Sequence, residues 1–249
     1  MAQEAIAFNH RYFVDRLARE NGRMLDYGCG GGAMVALGRA RGLDIWGADK
    51  FDGFWEHLMQ TLPPEARDRV RAIEGQRADY PDATFDVVVS NQVLEHVDDP
   101  EAAIADVSRL LRPGGLFVAA FPVVETWYEG HVGLYFAHRF KPGGKARRAY
   151  FRLCHRLGFG LHHHYGDDVF WAEHHEKFLD ESCFYYRLSR VRAALENSFG
   201  SPIQDECVDY MRARLGHRAA RLPLFADPLL KFVYHIRAGQ ILAIRKAAR

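Results

Sequence analysis

Residues 24–121 alternate short apolar runs with helical patterns, and that alternation constrains the fold more than any other feature. The runs are Met24–Tyr27, Leu43–Ala48, Val70–Ile73, Phe85–Ser90 and Leu116–Phe121. Between them lie helical patterns over Ala33–Ala40, Phe54–Leu62 and Pro100–Leu111, each stopped by glycine or proline. Strands joined through helices indicate β-α-β units and a parallel sheet. Unbroken apolar runs such as Val87-Val88-Val89 suit strands covered on both faces. The expected class is α/β: a Rossmann-like, seven-stranded, mostly parallel sheet with helices on both faces. Pro202–Val208 and Gln240–Arg245 are its last two strands.

After Pro122 the rhythm breaks. Residues 123–178 carry many His, Arg and aromatic side chains and show no clear strand. Lys145–Phe159 places Ala146, Ala149, Tyr150, Leu153, Cys154 and Leu157 on one helix face. A further helical pattern covers Phe184–Ser198. Residues 1–249 read as one domain, with 123–178 as a helical lid inserted after the fifth strand.

Charge divides the chain. Residues 1–130 hold 13 Lys/Arg against 21 Asp/Glu, and residues 131–249 hold 20 against 11. No acid falls between Gly130 and Gly166, where Arg139, Lys141, Arg147, Arg148, Arg152 and Arg156 lie. Such a surface suits an anionic substrate, a nucleic acid or a membrane, and the basic helix 145–159 fits a peripheral membrane contact. Hydrophobic residues make up 48% of the chain, which excludes a disordered or collagen-like protein. The four cysteines form no C-x-x-C pair and read as reduced thiols. The N-terminus lacks an apolar signal core, and the longest apolar stretch is about half of a bilayer span. A cytoplasmic location is expected.

Gly28-Cys29-Gly30-Gly31-Gly32 follows the first strand and lets the backbone turn sharply and approach a ligand closely. Asp26, two residues earlier, would repel a pyrophosphate but attract a ligand carrying an ammonium and a sulfonium. These residues closely resemble motif I of the class I S-adenosylmethionine-dependent methyltransferases. Gly47-Ala48-Asp49 is similar to the end of their second strand, and Phe85–Val97 to their fourth strand and the loop after it. Leu110–Leu116 is similar to their turn into strand five, and Gln240–Lys246 to strand seven. The resemblance implies S-adenosylmethionine as cofactor. It implies that Asp26, Gly28, Cys29 and Gly30 meet its amino-acid end. Asp49, with Lys50 beside it, would take the ribose hydroxyls; Glu74 and Gly75 would lie near the adenine, and Asn91 and Gln92 would complete the site. The chain departs from the family in having Glu74 where Asp is commoner.

Methyl transfer to a hydroxyl needs positioning, exclusion of water, and a base titrating near the working pH. The candidate bases are His131, His138, His174 and His175. The last two stand in Glu173–Leu179, which resembles the segment entering the next helix in methyltransferases of quinone-biosynthesis type. His96, Trp127, Tyr128, Tyr135 and Arg139 are expected at the acceptor, the aromatics as an apolar wall and the arginine as an anion anchor. His162-His163-His164 with Asp167-Asp168 offers metal-ligand types, yet no H-x-x-x-H or Cys/His pairing accompanies them, and no metal is expected. O-methylation of a small or lipid-like anionic metabolite is the leading reading. Methylation of transfer or other RNA is an alternative, and a non-catalytic S-adenosylmethionine-binding protein is another.

Overall fold

The alternation of strand and helix is realised as a central sheet in the computed structural model, which describes residues 2–248. A helix absent from the sequence expectation, α1 (Ala2–Leu17), precedes β1 (Met24–Tyr27). There follow α2 (Ala33–Ala40), β2 (Ile45–Asp49), the short α3 (Pro64–Arg67), β3 (Val70–Glu74) and β4 (Arg77–Ala78). Next come β5 (Phe85–Asn91), α4 (Pro100–Leu110) and β6 (Leu111–Phe121). A hairpin of β7 (Tyr128–Glu129) and β8 (Leu134–Tyr135) leads into α5 (Lys145–Arg156) and α6 (Asp168–Ser182). The remaining elements are α7 (Leu188–Phe199), β9 (Gln204–Asp205), α8 (Cys207–Leu215), α9 (Asp227–Arg237) and β10 (Gln240–Arg245).

The sheet runs β4-β3-β2-β1-β5-β6-β10-β9. Pairs β1–β2, β2–β3, β1–β5 and β5–β6 are parallel, while β10 runs antiparallel to β6 and β9, and β4 to β3. Eight strands therefore stand where seven were expected, the surplus being the two-residue edge β4. From β1 the chain moves outward through β2 and β3, then returns to lay β5 on the other side. The reversal opens a crevice at the carboxyl ends of β1 and β5, the place where sheets of this kind bind ligands.

Alternation along the strands sends side chains to two cores. Leu25, Val88 and Phe117 pack with Ile104 and Val107 of α4 and Leu195 and Phe199 of α7. Met24, Val87 and Val118 pack with Phe13 and Leu17 of α1, Val35 of α2 and Tyr234 of α9. α1 exists because Phe13, Val14 and Leu17 close this second face. α4 starts where Asp99 accepts the Ala102 N–H and Pro100 fills the first turn. A third core gathers Val132, Leu134, Phe151, Cys154, Trp171 and Leu179, all from the hairpin and the α5–α6 pair.

Several boundaries differ from the sequence reading. Gly53–Thr61 is a 3-10 turn instead of an α-helix, with no residue fully buried, so no core face holds it in α geometry. The strand expected over Pro202–Val208 shrinks to β9, because Cys207 turns inward and begins α8. α7 begins at Leu188, not Phe184. The segment after Pro122 contains the β7–β8 hairpin, and α6 extends to Ser182. No described helix is long and apolar enough to cross a membrane.

Gly28 has φ of +82°, and a Cβ there would overlap the Val93 side chain. Gly28→Ala should cost about 2 kcal/mol through left-handed strain and displaced packing. Thermal unfolding is then expected to shift down by roughly 5 °C, and an unchanged midpoint would refute the packing described.

Candidate active site

Turning out of β1, the chain runs into a glycine loop tied to β2. The N–H groups of Gly28 and Cys29 donate to the Ala48 carbonyl at 2.7 and 3.1 Å. Gly30 N–H donates to Asp49 Oδ2 at 2.7 Å, and Phe51 N–H to Oδ1 at 3.2 Å. One carboxylate at the tip of β2 thus sets the loop at the tip of β1. Burial still raises Asp49 above the ordinary carboxyl range, against the pull of these N–H donors. Asp26 is 3% exposed, and burial, with the charge of Asp49 beside it, pushes its carboxyl well up. A cationic ligand group at this spot would relieve both.

A cleft of about 200 Å³ opens over the loop, lined by Gly28, Gly30, Asp49, Lys50 and Gln92, with Ile73, Val97 and Ala103 as apolar walls. It shares Lys50, Asp52, Trp55, His96 and Asp98 with an adjoining recess of about 500 Å³. The first part fits S-adenosylmethionine: an apolar slot, a carboxylate for two hydroxyls and glycines that leave room, while the buried Asp26 stands behind the loop and does not line the cleft. Gln92 reaches the cleft from a left-handed φ of +58° just past β5. Asn91, by contrast, ends β5 with its Oδ1 buried and unpartnered.

Three expected cofactor residues stand apart. Cys29 packs its sulfur against Gly47, where a Cβ would come within 2.8 Å, so only its backbone belongs to the loop. Glu74 points outward on β3, opposite in alternation to Ile73, and Gly75 merely makes the β3–β4 turn. Gln76 lines the cleft in their place and donates to Asp98 Oδ1 at 2.9 Å.

The acceptor side is an assembly of rings. Phe178 of α6 lies 5.5 Å from Phe54, 6.2 Å from Trp55 and 5.4 Å from His131, and His96 is 5.0 Å from His131. Burial, reinforced by His131, drives His96 down to about 4, so it is neutral, and its Nδ1 sits 2.5 Å from the Ser182 carbonyl. His131 donates from Nδ1 to Glu129 Oε1 at 2.7 Å. Glu129 is fully buried and also accepts from the Tyr185 hydroxyl at 2.5 Å and Val132 N–H at 2.6 Å. Burial opposes its charge, but those donors and His131 hold it at about 2. Burial likewise opposes a charged His131, yet Glu129 and Glu95 hold its imidazole above the ordinary histidine value. His96, His131 and Cys183 bring ligand atoms within 4.8 Å of one another. They do not make a metal set, because His96 Nδ1, the atom facing the thiol, already donates to a carbonyl, and burial pushes the Cys183 thiol far up.

Most other acceptor expectations are corrected. His175 gives Nδ1 to the Trp171 carbonyl at 2.9 Å, and burial takes it to about 4. His174 packs on Tyr165, and neither histidine lines the cleft. His138 leans on Tyr185 with its ring 4.5 Å away, lowered by burial and with Nε2 3.3 Å from the Val124 carbonyl. Trp127, Tyr128 and Tyr135 face α9: Trp127 meets Phe232, while Arg237 lies over Tyr128 and bonds the Tyr135 hydroxyl. Arg139 donates to the carbonyls of Val124 and Glu125, so it is no anion anchor. The arginines of the basic helix are partly paired. Arg147 meets Asp180 at 2.6 Å, Arg148 meets Glu176 at 2.8 Å, and Arg152 and Arg156 share Asp168. Five cationic side chains of this helix, Lys145 included, thus stand against three acids, and Arg148, Arg152 and Arg156 stay partly exposed.

Sequence reasoning missed Glu129, Tyr185, Phe178 and Glu95. Glu95 is fully buried, with neither carboxylate oxygen hydrogen bonded. Burial raises it from 4.5 to about 7, with His131 opposing and Glu129 adding. Between those two values the folded protein keeps a proton that the unfolded chain releases, so stability falls as pH rises through this window. The full loss is on the order of 3 kcal/mol. Urea unfolding at pH 5.5 and 8.5 should show Glu95→Gln gaining on the wild type at the higher pH. Equal pH dependence in both proteins would contradict this.

Comparison with known proteins agrees with this geometry. A family model described as a methyltransferase domain matches residues 2–164. The ubiquinone biosynthesis O-methyltransferase of Chromobacterium violaceum is 31% identical over 163 residues, 60% of this chain and 69% of that protein. Its counterpart from Paracidovorax citrulli is 32% identical over 108 residues, 41% of this chain, and that match spans under half of the relative, 45%. Among solved structures, geranyl diphosphate C-methyltransferase from Streptomyces coelicolor A3(2), bound to Mg2+, geranyl diphosphate and S-adenosyl-L-homocysteine, superposes with a TM-score of 0.53. It is 15% identical, with 99% of this chain and 80% of that one covered. A Haemonchus contortus phosphoethanolamine N-methyltransferase 2 gives 0.50 at 15% identity, over 96% of this chain and 53% of that one. At such identities the structures speak for the fold alone.

Proposed function

Because the chain belongs to the class I S-adenosylmethionine-dependent methyltransferases, we propose that it methylates a hydroxyl oxygen of a small acceptor whose flat, apolar body sits among Phe54, Trp55 and Phe178. Bound S-adenosylmethionine supplies a methyl carbon on a sulfonium, which departs as a thioether. Asp49 would accept hydrogen bonds from the two ribose hydroxyls, and Asp26, buried behind the loop, would add negative charge on the ammonium side. Ile73, Val97 and Ala103 enclose the base, with Lys50, Gln76 and Gln92 at the edge of the cleft. His131 takes the acceptor's proton on Nε2 as the oxygen gains its carbon, and His96 borders the acceptor as a neutral wall. Residues 123–178 serve as the acceptor-side cover of one domain, 1–249.

The observation that carries this reading is a donor-shaped cleft that shares Trp55 and His96 with the adjoining recess, His96 being in ring contact with His131, whose Nδ1 is already held by a carboxylate. A general base must offer a free lone pair toward the substrate, and Nδ1 donation leaves Nε2 with one. The O-methyltransferase names of the sequence relatives agree with a hydroxyl acceptor. Arg147 and Arg148 are engaged by acids and Arg139 by carbonyls, so an anionic group on the acceptor has less support than its apolar body.

Calorimetry with S-adenosylhomocysteine and with NAD tests the donor. S-adenosylhomocysteine should bind, NAD should not, and Asp49→Ala should weaken binding at least tenfold, about 1.4 kcal/mol. NAD binding alone would reverse the reading. Turnover on fractionated metabolites tests the acceptor and separates an enzyme from a silent binding protein. His131→Ala should cut turnover by about two to four orders of magnitude with donor affinity unchanged. Near-normal turnover removes His131 from the chemistry.

A further inference from the structure

The β7–β8 turn is wound around a single carboxylate. Glu129 Oε2 receives the Val132 N–H, while Oε1 receives His131 N–H at 3.1 Å, His131 Nδ1 at 2.7 Å and the Tyr185 hydroxyl at 2.5 Å. We propose that Glu129 is a positioning residue of the transfer reaction, holding His131 in one tautomer and stabilising its charged form, and that Tyr185 sets how strongly Glu129 pulls. The proposal rests on His131 being the base.

An ionised carboxylate only accepts, so the proton between the two groups stays on Nδ1. Val132 N–H and the Tyr185 hydroxyl fix the carboxylate, which fixes the plane of the ring. The groups facing His131 come from every neighbouring element. The turn after β5 contributes Glu95, buried and unbonded, and the neutral His96. α6 contributes Phe178. The segment beyond α6 contributes Cys183 and Tyr185, whose hydroxyl is 3.4 Å from Nδ1. Two carboxyls, Glu129 and Glu95, are therefore set against the ring. A proton arriving on Nε2 meets a compensating negative charge already in place, needing no rearrangement at the moment of transfer. Tyr185 acts in the opposite sense. Its hydroxyl bond stabilises the Glu129 anion and so weakens the attraction of that anion for the imidazolium.

The competing account is that Glu129 only closes the turn through Val132 and His131 N–H groups. The two accounts part on the titration of His131. Nitrogen-15 NMR of the imidazole across pH, on the full chain, reads tautomer and pKa without an acceptor. Glu129→Gln should lower the His131 midpoint by at least one pH unit and mix the tautomers. Tyr185→Phe should raise it by a few tenths. Opposite movements are expected of the proposal, and a turn-closing role gives neither. An unmoved titration in Glu129→Gln overturns the proposal, and an unmoved one in Tyr185→Phe removes Tyr185 from it. If Glu129→Gln fails to fold, by circular dichroism, Tyr185→Phe, whose ring keeps the packing, decides alone: a raised midpoint upholds the proposal and an unmoved one overturns it. Normal turnover by His131→Ala with both NMR shifts intact would retire the base instead, leaving Glu129 as its charge partner only.

Discussion

Chain reversal at β1 is the constraint on which the rest depends. β1 is buried along its whole length and hydrogen bonded on both edges, to β2 and β5. Strands on its two sides are reached by crossovers in opposite directions, so the loops after β1 and β5 part. The gap between them cannot be filled by either crossover helix. The glycine loop, Asp49 and Gln92 are the residues that this gap exposes. Asp49 then does two things with one carboxylate: it anchors Gly30 and leaves lone pairs open to the cleft. The donor side is in this sense a product of topology, refined by a handful of side chains.

The acceptor side has another origin. The hairpin and the α5–α6 pair possess a core of their own around Trp171 and Phe151. Charge pairing across the two helices supplements it, with Arg147 itself buried against Asp180. Buried pairs of this kind contribute modestly to stability but strongly to register, because breaking one leaves an uncompensated charge. Fixing α6 in register matters for the site, since the same helix delivers Phe178 to the rings of the recess.

The donor side was largely legible in the sequence, and the acceptor side was not. Strands β1, β2, β5, β6 and β10 announced themselves because central strands require near-continuous apolar runs, which few other elements tolerate. Asp26, the glycines and Asp49 were readable because a local loop carries them at fixed spacing. Glu74 rested on the family resemblance alone; in β3 it is exposed, and Gln76 past the turn lines the cleft. The basic run 139–156 was less legible still. Its partners Asp168, Glu176 and Asp180 lie outside the acid-free window, so part of a charge imbalance in sequence is paired in space. Tyr185 is 56 residues from Glu129, and no local pattern could join them. Glu129, two residues before His131, was within reach of a reader looking for a carboxylate beside each candidate base.

Among the bonds that join the two halves of the site, one is made by a histidine. The Nδ1 of His96, on the turn after β5, meets the Ser182 carbonyl at the last turn of α6 at 2.5 Å. Because His96 stays neutral down to about pH 4, acidity in the physiological range neither makes nor breaks this clasp. The contact between the turn after β5 and the end of α6 is therefore insensitive to the pH changes that titrate an ordinary histidine.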